Sequence, residues 1–188
     1  MVVSAHKKFY TEEEFNTRIE TSITLPRELL REYKDKYGVD TFIETGAYRG
    51  DAIHMAVALG FRDIRSVDID PDLYNLVRER FENIPHVYVW LGDSVAMLPD
   101  MVRNIGCRCI FWLDAHTNAT PLMQELEIIS RMERKDHVIM IDDMRCLVGW
   151  MGTEAGNLPE QIHAINPSYT ISYRDSSMYH DDILVAYV

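Results

Sequence analysis

The chain has 188 residues, of which 47% are hydrophobic and 26% are charged, so we expect one compact soluble domain with a full hydrophobic core. No stretch approaches the roughly 18 consecutive apolar residues of a membrane span, and the first residues lack the apolar core of a signal peptide, so we expect a cytoplasmic protein without membrane contact. The formal net charge of −11 disfavours nucleic acid as a partner, because no basic stripe offsets the repulsion from phosphates.

The three cysteines, Cys107, Cys109 and Cys146, fit a reducing compartment. Cys107 and Cys109 alternate with Arg108 and are therefore expected on one side of a strand. A zinc site would need a fourth ligand and a better spacing, so we expect buried core thiols instead.

Residues 1–40 form a predicted helical lead-in to the domain. Thr11 stands three positions before Glu14, as in a capped helix. A second helix is predicted to begin at Pro26, which suits a first helical turn, and to stop at Gly38. This helix has an apolar stripe that can pack on a sheet, cover a ligand or contact a second subunit in a homodimer; it consists of Leu29, Leu30, Tyr33 and Tyr37.

From Thr41 onward, apolar runs of strand length alternate with helical stretches, which predicts one Rossmann-like, doubly wound α/β domain over residues 41–188. Five strand–helix repeats indicate a mostly parallel sheet that helices cover on both faces. A loop over residues 144–157 and a short helix near Leu158–Ala164 follow the fifth strand, and a terminal antiparallel strand pair ends the domain. The predicted strands begin at Thr41, Ile64, Val87, Cys109, Val138, Tyr169 and Asp182.

The turn after the first strand reads Glu44-Thr-Gly46-Ala-Tyr-Arg-Gly50. Gly46 lets the backbone turn sharply or approach a ligand, and Gly50 lets the next helix start tight against the sheet. The N–H groups at the start of that helix would attract an anionic group, although an ordinary strand-to-helix connection also explains the two glycines. The turn lacks the G-x-G-x-x-G spacing of dinucleotide sites, so a cofactor without a pyrophosphate fits better.

Acidic residues stand at the ends of all five predicted parallel strands. In such sheets the ligand binds at the carboxyl ends of the strands, where the strand order switches, so these acids favour a ligand site. Asp70 and Asp93 also suit the N-cap positions of the helices that follow them. Asp68 lies about 20 residues after the glycine turn, where an acid can bind both hydroxyls of a ribose. The acids are Glu44, Asp68 with Asp70, Asp93, Asp114, and Asp142 with Asp143.

Three motifs, Glu44-x-Gly46-x-x-x-Gly50, Val67-Asp68-Ile-Asp-Pro71 and Gly92-Asp93-Ser94, resemble in this order those of class I S-adenosylmethionine-dependent methyltransferases. The resemblance covers about residues 40–188. It implies that the glycine turn holds the methionine portion of the cofactor, with Glu44 facing the ammonium group, that Asp68 binds the ribose, and that Asp93 and Ser94 lie near the adenine. The implied cofactor-binding residues are Glu44, Thr45, Gly46, Ala47, Tyr48, Gly50, Asp68, Ile69, Asp93, Ser94 and Asp114.

Phe111-Trp-Leu-Asp114-Ala-His116 and Ile141-Asp142-Asp143 resemble the cation-dependent O-methyltransferases of the catechol type and of the macrocin or novobiocin sugar type. This resemblance implies that Asp114, Asp142 and Asp143 bind Mg²⁺ or another divalent cation, and carboxylate oxygens suit magnesium. A bound metal lowers the pKa of an acceptor hydroxyl, and Asp114 or His116 could take its proton. His116 could equally be structural, and Arg145 could bind an acidic group of the acceptor or neutralise Asp142 and Asp143.

We therefore expect a metal-assisted, S-adenosylmethionine-dependent methyltransferase that acts on a hydroxyl of a small molecule, such as a sugar or a phenol. A metal-independent N- or O-methyltransferase is the alternative within this class. Outside it, the same sheet could serve a nucleotide-cofactor oxidoreductase, which the missing third glycine disfavours, or a non-catalytic binding module.

Overall fold

One seven-stranded sheet organises the residues that the computed structural model describes, 24–115, 121–149 and 157–188. Its strands are β1 (Thr41–Thr45), β2 (Asp63–Asp68), β3 (Val87–Leu91), β4 (Cys109–Leu113), β5 (Val138–Ile141), β6 (Thr170–Arg174) and β7 (Ile183–Tyr187). They lie side by side in the order β3-β2-β1-β4-β5-β7-β6. β1 to β5 are parallel, whereas β7 runs antiparallel to both β5 and β6. The predicted mostly parallel sheet with a terminal antiparallel pair is therefore confirmed.

Helices cover both faces of this sheet. They are α1 (Arg27–Tyr37), α2 (Asp51–Ala58), α3 (Pro71–Phe81), α4 (Ser94–Met101), α5 (Leu122–Arg131), α6 (Met144–Gly149) and α7 (Leu158–Ile165). α1, α2 and α3 pack around a core that includes Phe42 and Trp112, while α4, α5 and α7 pack around a second core with Ile43 and Phe111. Successive residues of a strand point to opposite faces, which is why Phe42 and Ile43 lie in different cores. Within the described ranges, none of the helices has the length and apolar character needed to cross a membrane.

The helix α1 begins and ends where the sequence predicts. Pro26 precedes its first residue, and Gly38 terminates it with a left-handed φ of 60°. Leu30 and Tyr33 are at most 2% exposed, so the apolar stripe of α1 packs on the sheet. The other predicted helix of the lead-in, near Thr11, lies outside the described residues.

The predicted loop over residues 144–157 is wrong in its first part, because α6 occupies Met144–Gly149. Asp143 has a left-handed φ of 57°, and its carbonyl accepts hydrogen bonds from the N–H groups of Cys146 (2.8 Å) and Leu147 (3.0 Å). Leu147 is 1% exposed, so tertiary packing stabilises this short helix, which on its own would be marginal.

The three cysteines only partly follow the prediction of buried core thiols. Cys109 is buried, but Cys107 is exposed and Cys146 is half-buried, and all three are free thiols. Cys107 is not part of the strand because β4 begins only at Cys109.

The carboxyl ends of β1, β4 and β5 continue side by side beyond the regular sheet. The strand order switches between β1 and β4, which are neighbours in the sheet but not consecutive in the chain. The N–H of Asp114 donates to the carbonyl of Thr45 at 3.0 Å, and the N–H of Asp142 donates to the carbonyl of Leu113 at 3.2 Å. This pairing brings the glycine turn, Asp114 and Asp142 to one edge of the sheet, where parallel sheets bind ligands.

Candidate active site

The turn between β1 and α2 passes directly against the end of β4. Gly46 has a φ of 88°, and a Cβ at this position would lie 2.5 Å from the carbonyl oxygen of Asp114. A larger residue would collide with backbone that cannot move aside, so glycine is required here. The N–H groups of Gly46 and Ala47 donate to the carbonyl of Val67 at 3.0 and 2.9 Å. The turn is therefore held between the ends of β2 and β4.

Gly50 is also required for close packing, but its contact differs from the predicted one. A Cβ at this position would lie 2.7 Å from Cε2 of Phe81 and 3.3 Å from Cγ2 of Val77, both on α3. Glycine thus lets α2 start tight against α3 rather than against the sheet. Between the two glycines, Tyr48 has a φ of 46°, which is uncommon for a residue with a side chain and is typical of constrained turns at binding sites.

Glu44 is a buried carboxyl group beneath this turn. It is 2% exposed, and the hydroxyl of Ser66 donates to its Oε2 at 2.5 Å. Burial raises the pKa of Glu44 to about 8; the hydrogen bond from Ser66 opposes the rise, and the nearby carboxylates of Asp68 and Asp51 add to it. At neutral pH Glu44 is therefore mostly protonated, and a cation beside it would favour loss of that proton.

Asp68 organises two segments at the end of β2. Its Oδ2 accepts a hydrogen bond from the N–H of Tyr48 at 2.7 Å, and its Oδ1 accepts one from the N–H of Asp70 at 2.9 Å. Each oxygen keeps a further lone pair for a ligand hydroxyl. The side chains of Ile69 and Tyr48 are 59% and 56% exposed, so apolar surface is open on either side of this acid. Such a combination suits a ligand that joins a sugar to a flat apolar ring.

Asp70 and Asp93 act as helix N-caps, which is the structural role predicted for them from the sequence. Each carboxylate accepts hydrogen bonds from the backbone N–H groups two and three positions further along, at the start of α3 and α4 respectively. Ser94, the residue after Asp93, is 7% exposed and lies in the first turn of α4. As caps, Asp70 and Asp93 stabilise the loops before α3 and α4, and this role does not require contact with a ligand.

Glu125 on α5 is a buried carboxyl group that was not among the site residues predicted from the sequence. It is 1% exposed, and within the described part of the chain its Oε1 has no hydrogen-bond partner. Burial raises the pKa of Glu125 to about 7; the hydroxyls of Ser94 and Thr45 oppose the rise, and Asp93 adds to it. A signal was present in the sequence, since Glu125 interrupts the apolar stripe of α5 formed by Leu122, Leu126 and Ile129.

Asp114, Asp142 and Asp143 form a carboxylate cluster whose oxygens, within the described residues, lie close enough together to hold a metal ion. One oxygen from each residue lies within 4.8 Å of the others. Burial, followed by repulsion from Asp142 and Asp143, raises the pKa of Asp114 well above its usual range, and burial also raises the pKa of Asp142. A divalent cation would relieve this repulsion, and three hard oxygen ligands leave room for the water ligands that magnesium retains. The residues present therefore fit such an ion.

Side chains from distant parts of the chain frame this cluster, and two of them, Thr24 and Asp182, were not predicted from the sequence. The hydroxyl of Thr24 donates a hydrogen bond to Oδ2 of Asp142. Asp182, which is fully buried, forms an ion pair with Arg145. Arg145 also pairs with Oδ1 of Asp143 at 2.6 Å, which is the neutralising role that was one of its two predicted roles.

The remaining predicted site residues differ in their accessibility. Thr45 and Ala47 are 0% and 2% exposed, so their side chains lie beneath the turn and only their backbone can face a ligand. His116 lies outside the described residues, and its role as a base stays a prediction.

No protein-family model and no curated protein sequence matches the chain. Solved structures do match it. The O-methyltransferase TomG from Streptomyces achromogenes, in complex with SAM, has a TM-score of 0.66 and 12% identity over 95% of this chain and 91% of its own. The O-methyltransferase from Bacillus cereus, in complex with SAH, has a TM-score of 0.62 and 15% identity over 94% of this chain and 87% of its own.

A third match is the SAH-bound methyltransferase PaMTH1 from Podospora anserina, with a TM-score of 0.63 and 14% identity over 93% of this chain and 84% of its own. The chain therefore has the fold of the class I S-adenosylmethionine-dependent methyltransferases, as its motifs predict. At this level of identity the likeness concerns the fold, and the activity has to be argued from the residues at the site.

Proposed function

We propose that the chain is an S-adenosylmethionine-dependent methyltransferase. The observation that carries this proposal is the contact of the Gly46 turn with the backbone of Asp114 at the switch point of the sheet, with the Asp68 carboxylate on the neighbouring strand. Structures that share this fold contain SAM or SAH. A turn that needs glycine for steric reasons and an acid that can accept further hydrogen bonds would suit such a cofactor.

Each part of the cofactor would have a chemical counterpart at this edge of the sheet. The Gly46 turn would receive the methionine portion, and Glu44 beneath it would offer a carboxylate to the cationic end of the ligand. Asp68 would accept hydrogen bonds from the ribose hydroxyls, while the exposed side chain of Ile69 would pack on the adenine. The backbone around Thr45, Ala47, Tyr48, Gly50, Asp93 and Ser94 would complete the site.

We also propose that methyl transfer is metal-assisted, with Asp114, Asp142 and Asp143 as ligands of Mg²⁺ or a similar cation. A bound divalent cation would lower the pKa of an acceptor hydroxyl and fix its direction. The protein itself would orient the acceptor against the cofactor, since proximity and alignment supply much of the acceleration of such a displacement. His116, or a carboxylate oxygen of Asp114 that does not hold the ion, would accept the acceptor's proton.

The acceptor would be a small molecule with a hydroxyl group, such as a sugar or a phenol. Of the side chains described around the cluster, Asp114, Asp142, Asp143 and Asp182 are acidic and Arg145 is basic. This excess of acid disfavours a strongly anionic acceptor, because Arg145 is already shared between two carboxylates.

The same ion pairs favour a second candidate, a methyltransferase that uses no metal. Arg145 lies 2.6 Å from Asp143 and therefore neutralises part of the cluster without any ion. In such an enzyme Asp114 would act as the base, and an amine would be as suitable an acceptor as a hydroxyl.

Calorimetric titration with SAM and SAH tests the cofactor assignment. We expect saturable one-to-one binding by the wild type and about 10–100-fold weaker binding by Asp68→Ala, since hydrogen bonds to a charged group contribute about 1.5–3 kcal/mol. Asp72→Ala is the matched control, because this acid lies in the first turn of α3. Folded protein that binds neither ligand, or that binds a nicotinamide cofactor instead, would exclude the proposal.

Titration with Mg²⁺ and Mn²⁺ separates the two methyltransferase candidates. The metal-assisted enzyme should bind the ion, lose affinity in Asp142→Asn, and lose methyl transfer in excess chelator. Full activity in chelator, with cofactor binding intact, would leave the metal-independent enzyme as the correct assignment.

A further inference from the structure

Thr24, the residue two positions before Pro26, joins three parts of the fold at the carboxylate cluster. Its hydroxyl donates a hydrogen bond to Oδ2 of Asp142, a residue 118 positions away. Its carbonyl accepts a hydrogen bond from the N–H of Ser177, between β6 and β7, at 3.0 Å. The segment leading into α1 therefore closes onto the same edge of the sheet as the glycine turn.

We propose that Thr24 is a positioning residue that orients the carboxylate of Asp142 for the metal ion; this inference rests on the metal-assisted form of the proposed function. Asp142 is 1% exposed, and its backbone N–H is fixed by the carbonyl of Leu113. The hydrogen bond from Thr24 is one of the contacts that restrict rotation of the Asp142 side chain.

The hydrogen bond acts on one of the two oxygens that Asp142 carries. A carboxylate that gives one oxygen to a metal commonly accepts a hydrogen bond on the other, and such outer partners typically change metal affinity 10–100-fold when they are removed. Threonine suits this role because its hydroxyl is a donor that adds no charge to a cluster already crowded with carboxylates.

The hydroxyl of Thr24 is not needed to anchor the start of α1. The carbonyl of Thr24 is held by Ser177, and the side chain of Leu25 is 1% exposed within the core on which α1 packs. Removing the hydroxyl should therefore leave the path of the chain unchanged and remove one restraint on the orientation of the Asp142 carboxylate.

Manganese binding, followed by the electron paramagnetic resonance signal of free Mn²⁺, tests the proposal in the full chain. We expect Thr24→Val to bind Mn²⁺ about 10–100-fold more weakly than the wild type. Thr24→Ser, which restores a hydroxyl, should stay within about threefold of it. Thr170→Val, at an exposed position of β6, is the matched control for replacing a threonine and should bind as the wild type does. SAH affinity in chelator should be the same for all four proteins.

The possible results distinguish the role of Thr24 from the metal-assisted function on which it rests. Wild-type protein that binds SAH but no Mn²⁺ would overturn both the metal-assisted function and the role of Thr24. Equal Mn²⁺ affinity for the wild type and Thr24→Val, or equal loss in Thr24→Ser and Thr24→Val, would overturn the role of Thr24 alone. Should Thr24→Val unfold, Thr24→Ala removes the hydroxyl without adding a methyl group in its place and is held to the same criteria.

Discussion

Replacing Glu125 with glutamine removes a buried ionisable group while keeping the shape of its side chain. The ordinary pKa of a glutamate is 4.5, and burial raises that of Glu125 to about 7 in the folded protein. Below pH 4.5 the side chain is neutral in both the folded and the unfolded chain. Above pH 7 it is charged in both, and burial of this charge destabilises the folded chain. At about 1.4 kcal/mol for each tenfold change in proton affinity, this burial reduces stability by about 3 kcal/mol above pH 7.

We therefore expect Glu125→Gln to be more stable than the wild type by up to about 3 kcal/mol near pH 8.5. The difference should shrink as the pH falls from about 7 to about 4.5, because the wild-type side chain becomes neutral in both states. Urea unfolding at a series of pH values measures the free energy of unfolding directly. In thermal unfolding at high pH, the same effect would raise the midpoint by about 6–12 °C for a domain of this size.

Glu127→Gln on the same helix is the control for this experiment. Glu127 is exposed and forms a surface ion pair with Arg131 at 2.5 Å, so its replacement should change stability by less than about 1 kcal/mol. An advantage of Glu125→Gln that is the same at pH 5 and pH 8.5 would refute the titration argument. A loss of stability at high pH would show that the contacts of the carboxylate with Ser94 and Thr45 outweigh the unfavourable burial of its charge.

Two further predictions concern the glycine turn. Binding of SAM at pH 7 should release most of one proton, because Glu44 has a pKa of about 8 and a cationic ligand group beside it favours the carboxylate. Calorimetry in two buffers of different ionisation enthalpy measures the release, which should vanish in Glu44→Gln; its persistence there would assign the proton to another group. Gly46→Ala should abolish SAH binding and destabilise the fold by more than about 2 kcal/mol, because its Cβ would lie 2.5 Å from the carbonyl oxygen of Asp114. Gly60 has a φ of 76° and open space where a Cβ would lie, so Gly60→Ala should destabilise the fold only by backbone strain of about 1 kcal/mol. Equal effects of the two changes would contradict the steric argument.

Much of the fold follows from local sequence signals. Pro26 and Gly38 predict both ends of α1 because one suits a first helical turn and the other can adopt a left-handed φ. The alternation of short apolar runs with helical stretches predicts the parallel sheet, and the rule for parallel sheets then predicts which edge gathers Asp114 and Asp142.

The parts that the sequence did not predict depend on contacts between distant residues. The helix α6 is short and is stabilised by burial of Leu147, which no local pattern reveals. The hydrogen bond between Thr24 and Asp142 joins residues 118 positions apart, and one sequence gives no signal for such a pair. The actual neighbour of Gly50, Phe81 on α3, likewise depends on how two helices meet.

The position of β7 has a consequence for the order in which the chain can fold. β7 is the last strand in the chain order, yet it lies between β5 and β6, so β6 can join the sheet only through β7. The same step brings Asp182 to Arg145, whereas the glycine turn needs only β1, β2 and β4. A partly folded chain that lacks β7 can therefore hold the glycine turn, but the carboxylates of Asp114, Asp142 and Asp143 then lack the Asp182–Arg145 ion pair beside them. We therefore expect the glycine turn to tolerate a delay or loss of β7 pairing that leaves the carboxylate cluster incompletely framed.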